Sequence, residues 1–401
     1  MTEQIHPSKT PAARNRVIWV QNKPNHYFVE MLDSLNRRGE VEYFGVFLFP
    51  TPAGSAIFQI PACSPHVFLG DPTKHGGPVG YKRLGEEARE FVRNLDFCAA
   101  IVGGYDSRFK RWVLGYCKSQ GIPTALFVDS NIRAERGRSI RKKLKRFAKR
   151  IFLRHIIGHA NAIIPCNRSG VAYWRYYGCP ASKITRSTYY CAVDAGAALA
   201  VSRGDVFARY GLEPRCKLIF TAARLVPAKA LHLMVEAFME SGLAERGWAW
   251  AVAGDGPLRQ ALELQAGKLN GTAIRFLGVV APVDIPSLMA QSELFVLPSV
   301  YEPHGIVVTE AMAVGTPVIA NKDCGAARDL VRPGKTGWLY SPSDGASLLL
   351  ALREAVGTER KAANMAASCR EEFTKWYTRY DPLVRIPEIV RDALLLRQLE
   401  R

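Results

Sequence analysis

The chain is short of acids, has no uninterrupted run of apolar residues that could span a membrane, and spaces its cysteines without pattern. Each shortage excludes something. Its 36 Asp and Glu face 54 Lys and Arg, which leaves a formal charge of +18 and implies an anionic partner. The nine cysteines, an odd number, form no C-x-x-C pair. They argue against a disulfide framework or a zinc knuckle and for a reducing, cytoplasmic setting. The polar opening MTEQIHPSKTPAARNR lacks the apolar core of a secretory signal, so none is expected. Residues 43–70 carry no Asp, Glu, Lys or Arg, yet Pro50, Pro52, Pro61 and Pro65 would break a spanning helix there. No D-x-D triplet occurs, so no carboxylate pair for a divalent metal is expected, and no cofactor is implied. His155 and His159 share a helix face at i, i+4 but have no third ligand near in sequence.

What is present is globular: 401 residues, 48% hydrophobic and 22% charged, which suits two domains of about 150 residues or more. Short apolar runs at 16–20, 41–49, 97–104, 124–129 and 161–166 alternate with helical periodicity at 26–38, 82–95 and 107–119, the signature of a doubly wound parallel sheet. The pattern restarts at 216–223 and continues through 248–254, 273–278, 293–298 and 316–321. Three helical segments, 345–356, 359–378 and 383–399, follow. The expected division is 1–200, 201–380 and a helix at 381–401 that returns to the first domain. Ligands of open α/β sheets bind beyond the carboxyl ends of the strands, so functional residues should lie just after them.

The most informative segment is EPHGIVVTEAMAVGTPVIA, where Glu302 precedes an apolar helix expected to start near His304 and to bear Glu310. Gly305, Ile306 and Val307 would turn free backbone amides and a positive helix end toward the crevice, a place suited to phosphate. Glu302 and Glu310, with seven residues between them, resemble the Glu-x7-Glu motif of the retaining family 4 glycosyltransferases. That resemblance implies a GT-B fold, two facing Rossmann-like domains with a nucleotide-sugar between them, and a transfer with retention that needs no metal. It also assigns roles. Arg224 and Lys229, after LIFTAA, look like the family's pair on the donor diphosphate; Gly254 and Gly256, in GDGP, look like its next glycine turn. Glu310 matches the ribose-binding carboxylate and Glu302 the one that meets the donor sugar. In the first domain Asp129 of FVDSN matches the residue that family members place after a strand beneath the donor sugar, while Gly104 and Tyr105 at the neighbouring strand end, and Asn25 and His26 in the first loop, are read as acceptor-side.

Two departures stand out. Ala230 occupies a position where the family usually has Gly, and the loop from Gln21 to Tyr27 lacks paired glycines. The implied partners are a UDP- or GDP-type nucleotide-sugar and a glycan or lipid-linked acceptor. Other reactions on the same fold, such as nucleotide-sugar epimerisation, and a non-catalytic membrane- or nucleic-acid-binding role stay open.

The charge is local. Between Arg133 and Arg154 lie eleven bases and one acid, Glu135, so this segment supplies +10 of the +18. Within it Ile140, Leu144, Phe147 and Ile151 recur at i, i+4, i+7 and i+11, one apolar stripe on a cationic helix. Such a helix lies on an anionic membrane, here through Arg138–Arg154 at the inner face of the plasma membrane, or packs its stripe into the domain. No nucleic-acid reader motif accompanies it, and nucleic acid is not an expected partner.

Overall fold

The computed structural model describes residues 15–50, 64–70, 84–132, 139–342, 345–357 and 362–399. The first half alternates β1 (Arg16–Gln21), α1 (His26–Asn36), β2 (Glu42–Phe47), β3 (His66–Phe68), α2 (Glu86–Asn94), β4 (Ala99–Gly103), α3 (Arg108–Ser119), β5 (Thr124–Val128), α4 (Ile140–His159), β6 (Ala162–Pro165) and α5 (Arg168–Tyr176). After the short helices α6 (Ala195–Ala200) and α7 (Arg203–Arg209), the second half repeats the plan. It runs β7 (Lys217–Ala222), α8 (Leu231–Glu240), β8 (Trp248–Ala253), α9 (Arg259–Ala266), β9 (Ile274–Gly278), α10 (Asp284–Ala290), β10 (Leu294–Leu297), α11 (Ile306–Val314), β11 (Val318–Asn321), α12 (Gly325–Leu330) and β12 (Gly337–Tyr340). Three helices close the chain: α13 (Gly345–Gly357), α14 (Ala362–Tyr380) and α15 (Pro382–Leu399).

Both sheets have six parallel strands and the same order, β3-β2-β1-β4-β5-β6 in the first and β9-β8-β7-β10-β11-β12 in the second. Parallel sheets bury both faces, and the side chains sort accordingly. Along β1, Ile18 and Val20 join one apolar cluster while Val17 and Trp19 join the other. Along β7, Leu218 and Phe220 face one cluster and Ile219 the other. In each sheet the winding reverses between the first strand and the fourth, and the loops that follow those strands diverge to leave a crevice.

Helix α14 packs on α11 and α12 of the second half, whereas α15 crosses to α1, β4 and β5 of the first. There Ile386, Ile389 and Val390 complete the cluster containing Val17, Trp19 and Phe28. Further bonds tie the halves together: Asn167 Nδ2 donates to the Pro303 carbonyl at 2.9 Å and Asn131 Nδ2 to that of Asp323 at 2.8 Å. The Arg186 guanidinium pairs with the buried Asp329 carboxylate and stacks 3.8 Å over the Tyr380 ring.

Some expected bounds move. The helix expected from His304 begins at Ile306, because Gly305 adopts φ +86° and forms its N-cap. The helix expected at 82–95 is described from Glu86, and that expected at 359–378 from Ala362; residues 82–83 and 359–361 lie outside the described residues.

Candidate active site

The sequence motifs lie on the loops after β1, β4, β5, β7, β8 and β10, with Glu310 following on α11. After β7 the chain places Arg224 exposed, its carbonyl accepting from the Val226 amide at 2.9 Å, then turns through Pro227–Lys229. Lys229 Nζ forms an ion pair with Glu302 Oε2, a contact across 73 residues that joins the β7 and β10 loops. Ala230, where glycine was the usual residue, holds a left-handed conformation at φ 47°, the one non-glycine residue with positive φ among those described. The turn therefore keeps its backbone path despite the side chain.

Gly254 and Gly256 support this loop from beneath. A Cβ on Gly254 would lie 2.0 Å from the Ala223 carbonyl oxygen, and one on Gly256 2.6 Å from that of Leu225. Both residues are glycine because two backbones meet there.

Glu302 lies in the loop after β10, which Asn321 holds through two 3.1 Å bonds from Nδ2 to the Ser299 and Val300 carbonyls. At Gly305 the left-handed φ and the neighbours both demand glycine, since a Cβ would lie 2.7 Å from Cys324 Sγ and 3.0 Å from Glu302 Cγ. Among the described residues no side chain caps α11, so first-turn amides around Ile306 and Val307 are placed to meet a ligand oxygen.

Glu310 projects from the second turn of α11 and is buried. Burial pushes its pKa up to about 7; the Tyr27 hydroxyl, its hydrogen-bonding neighbour, opposes the rise, and Glu30 adds to it. Among the described residues its Oε2 has no hydrogen-bond partner.

Across the crevice, the first half contributes a cavity of about 500 Å³ lined by Gln21, Asn22, Asn25, Gly104, Tyr105 and Asp129, among others. Asn25 lines it while also capping α1, its Oδ1 accepting from the Phe28 amide at 3.0 Å. His26 is not among the lining residues and instead pairs with Glu30 at 3.0 Å. Gly104 turns at φ +85°, and the Tyr105 and Tyr173 hydroxyls lie 3.1 Å apart. Asp129 opens onto the groove, and desolvation raises its pKa, with the Glu302 charge acting in the same direction.

Several residues that the motifs do not reveal also belong here. Tyr27 comes from the loop read as acceptor-side, yet it reaches Glu310 in the opposite half. Lys110 is almost fully buried, its ammonium held by the Gly103 carbonyl and by Asp106 at 2.8 Å. Its signal was present as the i, i+4 pair Asp106 and Lys110 just after a strand. His304 is buried against Tyr189, ring centroids 5.1 Å apart, and desolvation, helped by the Arg186 charge, lowers its pKa to about 3. It is a neutral contact between the halves.

Residues 203–372 match the family model described as glycosyl transferases group 1. An alpha-D-kanosaminyltransferase of Streptomyces kanamyceticus is 30% identical over 192 residues, 47% of this chain and 49% of that protein. A GDP-mannose-dependent alpha-(1-6)-phosphatidylinositol monomannoside mannosyltransferase of Mycolicibacterium smegmatis is 28% identical over 203 residues, 48% of this chain and 53% of that protein. The chain thus spans about half the length of these curated relatives. Anabaena HepE, solved with UDP and glucose, superposes with a TM-score of 0.68 at 19% identity, covering 95% of this chain and 99% of that one. WaaG, a glycosyltransferase involved in lipopolysaccharide biosynthesis, does so at 0.63 and 18% identity, covering 94% and 98%. Residues 203–372 are therefore similar to glycosyl transferases group 1, and the two six-stranded sheets have the GT-B architecture of the solved neighbours.

Proposed function

We propose that the chain is a retaining, metal-independent glycosyltransferase that moves a sugar from a UDP- or GDP-type nucleotide-sugar to a glycan or lipid-linked acceptor. The observation that carries this reading is the Lys229–Glu302 ion pair beside the start of α11, with the Glu302 charge acting on Asp129 of the first half; Arg224 lies on the same loop as Lys229. When the donor's C1–O bond breaks, negative charge builds on the departing diphosphate. Arg224, Lys229 and the amides of Ile306 and Val307 are the groups that hold it. The diphosphate takes Lys229 from Glu302, which frees that carboxylate for the donor sugar, while Glu310 accepts from the ribose hydroxyls.

A new C1–O bond forms to an acceptor hydroxyl on the face that the diphosphate leaves, and the acceptor proton passes to the departing phosphate oxygen. The acceptor occupies the cavity lined by Asn25, Gly104 and Tyr105, with Asp129 beneath the donor sugar; His26 stands behind it and steadies α1. A cytoplasmic setting at the inner face of the plasma membrane belongs to the same reading, supported by eight unpaired thiols among the described residues.

The test combines calorimetric titration of UDP and GDP with turnover of a panel of nucleotide-sugars. Arg224→Ala and Lys229→Met each should weaken binding of the preferred nucleotide at least tenfold and slow transfer. Unchanged affinity in both, or conversion of donor alone into an epimer, would remove the reading.

A further inference from the structure

Helix α4 is attached to its domain by one end only. Its buried residues are Leu153, Ile156 and Ile157, all in the last two turns. The stripe noted in the sequence does not pack into the domain: Ile140 is 84% exposed, Leu144 68%, Phe147 63% and Ile151 59%. At 3.6 residues per turn, this stripe lies about half a turn around the helix from Leu153, Ile156 and Ile157. It therefore points directly away from the protein. Eight bases and no acid share the helix, and Arg141 and Lys145 flank the stripe on one side while Lys143, Arg150 and Arg154 flank it on the other. Arg138, included in the sequence reading of this patch, lies outside the described residues. On the inner face Lys149 sits 5.0 Å from the Tyr173 ring centroid and lines the acceptor-side cavity.

We infer that α4 docks the protein on an anionic lipid bilayer. Ile140, Leu144, Phe147 and Ile151 enter the boundary between headgroups and acyl chains, and the flanking bases meet the lipid phosphates. Charge selects this occupant, because an apolar stripe bordered on both sides by cations matches an apolar layer edged by anions. Docking stands on α4 alone. Its consequence for the acceptor rests on the transferase reading: through Lys149, docking sets the cavity mouth about one helix diameter, some 10 Å, from the lipid surface, where a membrane-held acceptor is within reach.

The test uses the full chain and co-sedimentation with vesicles of phosphatidylcholine alone or with 30 mol% phosphatidylglycerol, chosen on the order of the anionic fraction of a cytoplasmic leaflet. The protein should bind the phosphatidylglycerol vesicles, bind pure phosphatidylcholine at least tenfold more weakly, and lose affinity as salt rises. Leu144→Glu with Phe147→Glu, and separately Arg141→Gln with Lys143→Gln and Lys145→Gln, should each lower partitioning at least tenfold. Nucleotide affinity, measured on the same proteins, should stay unchanged, so a failure of docking and a failure of the transferase reading are told apart. Equal partitioning of wild type and the double variant would overturn the inference. So would tighter binding to a mixed-sequence oligonucleotide than to vesicles, or a dimer in sedimentation that the double variant abolishes while wild type ignores lipid.

Discussion

Replacing Glu310 by Gln should reverse the usual relation between a buried carboxylate and pH. In the folded protein burial holds this group at about 7 instead of 4.5. A carboxyl whose folded pKa lies above its unfolded one contributes stability that is present below the unfolded value and lost as pH rises through the folded one. The window here is roughly pH 4.5 to 7, and the full difference is about 3 kcal/mol. Glu310→Gln has no charge to desolvate and should escape that loss. Urea unfolding from pH 5 to 8.5 should show the wild type falling behind the variant as pH rises, with a gap approaching about 3 kcal/mol above pH 8. Nucleotide binding should move the other way. If the ionised carboxylate receives the ribose hydroxyls, wild-type affinity should rise about tenfold between pH 6 and 8, while the variant binds weakly and with no such slope. Parallel stability profiles for the two proteins would refute the reasoning.

Three other perturbations separate the parts of the site. Gly305→Ala forces a left-handed φ on a side chain that meets Cys324 and Glu302; a loss of about 2 kcal/mol in thermal unfolding and weaker nucleotide binding are expected. Lys229→Met leaves Glu302 without its cation; melting should shift little, because the pair is partly solvated, while turnover falls at least tenfold. Arg186→Met takes the nearer of two cations from the buried Asp329, leaving Arg168 at 3.6 Å, and strips Tyr380 of its stacked guanidinium. A loss of about 3 kcal/mol in urea unfolding is expected.

Ten of the twelve strands are legible in the sequence, because each is a run of apolar residues followed by a helical period. The other two were not singled out: His66–Phe68 has only three residues, and Gly337–Tyr340 follows the turn-forming run RPGKT, which reads as loop. That Arg224 and Lys229 follow one strand, and that Glu302 and Gly305 follow another and precede the helix bearing Glu310, was legible because each run is an apolar strand ending in a turn. Tyr27, Tyr189, His304 and Arg186 were not, since their roles exist only where the two halves meet. An aromatic ring that approaches a carboxylate nearly three hundred positions away leaves no mark on its own neighbourhood, and Arg186 reads as one base among many until Asp329 is beside it. The stripe on α4 was visible as a pattern, but only its position opposite the buried face shows that it is exposed and not part of the core.

A crystal structure with UDP or GDP bound tests the central claim most directly. The account expects the diphosphate within hydrogen-bonding distance of Arg224, Lys229 and the first amides of α11, the ribose on Glu310, and Glu302 released from Lys229. A diphosphate bound anywhere else, with the Lys229 and Glu302 pair intact, would contradict it.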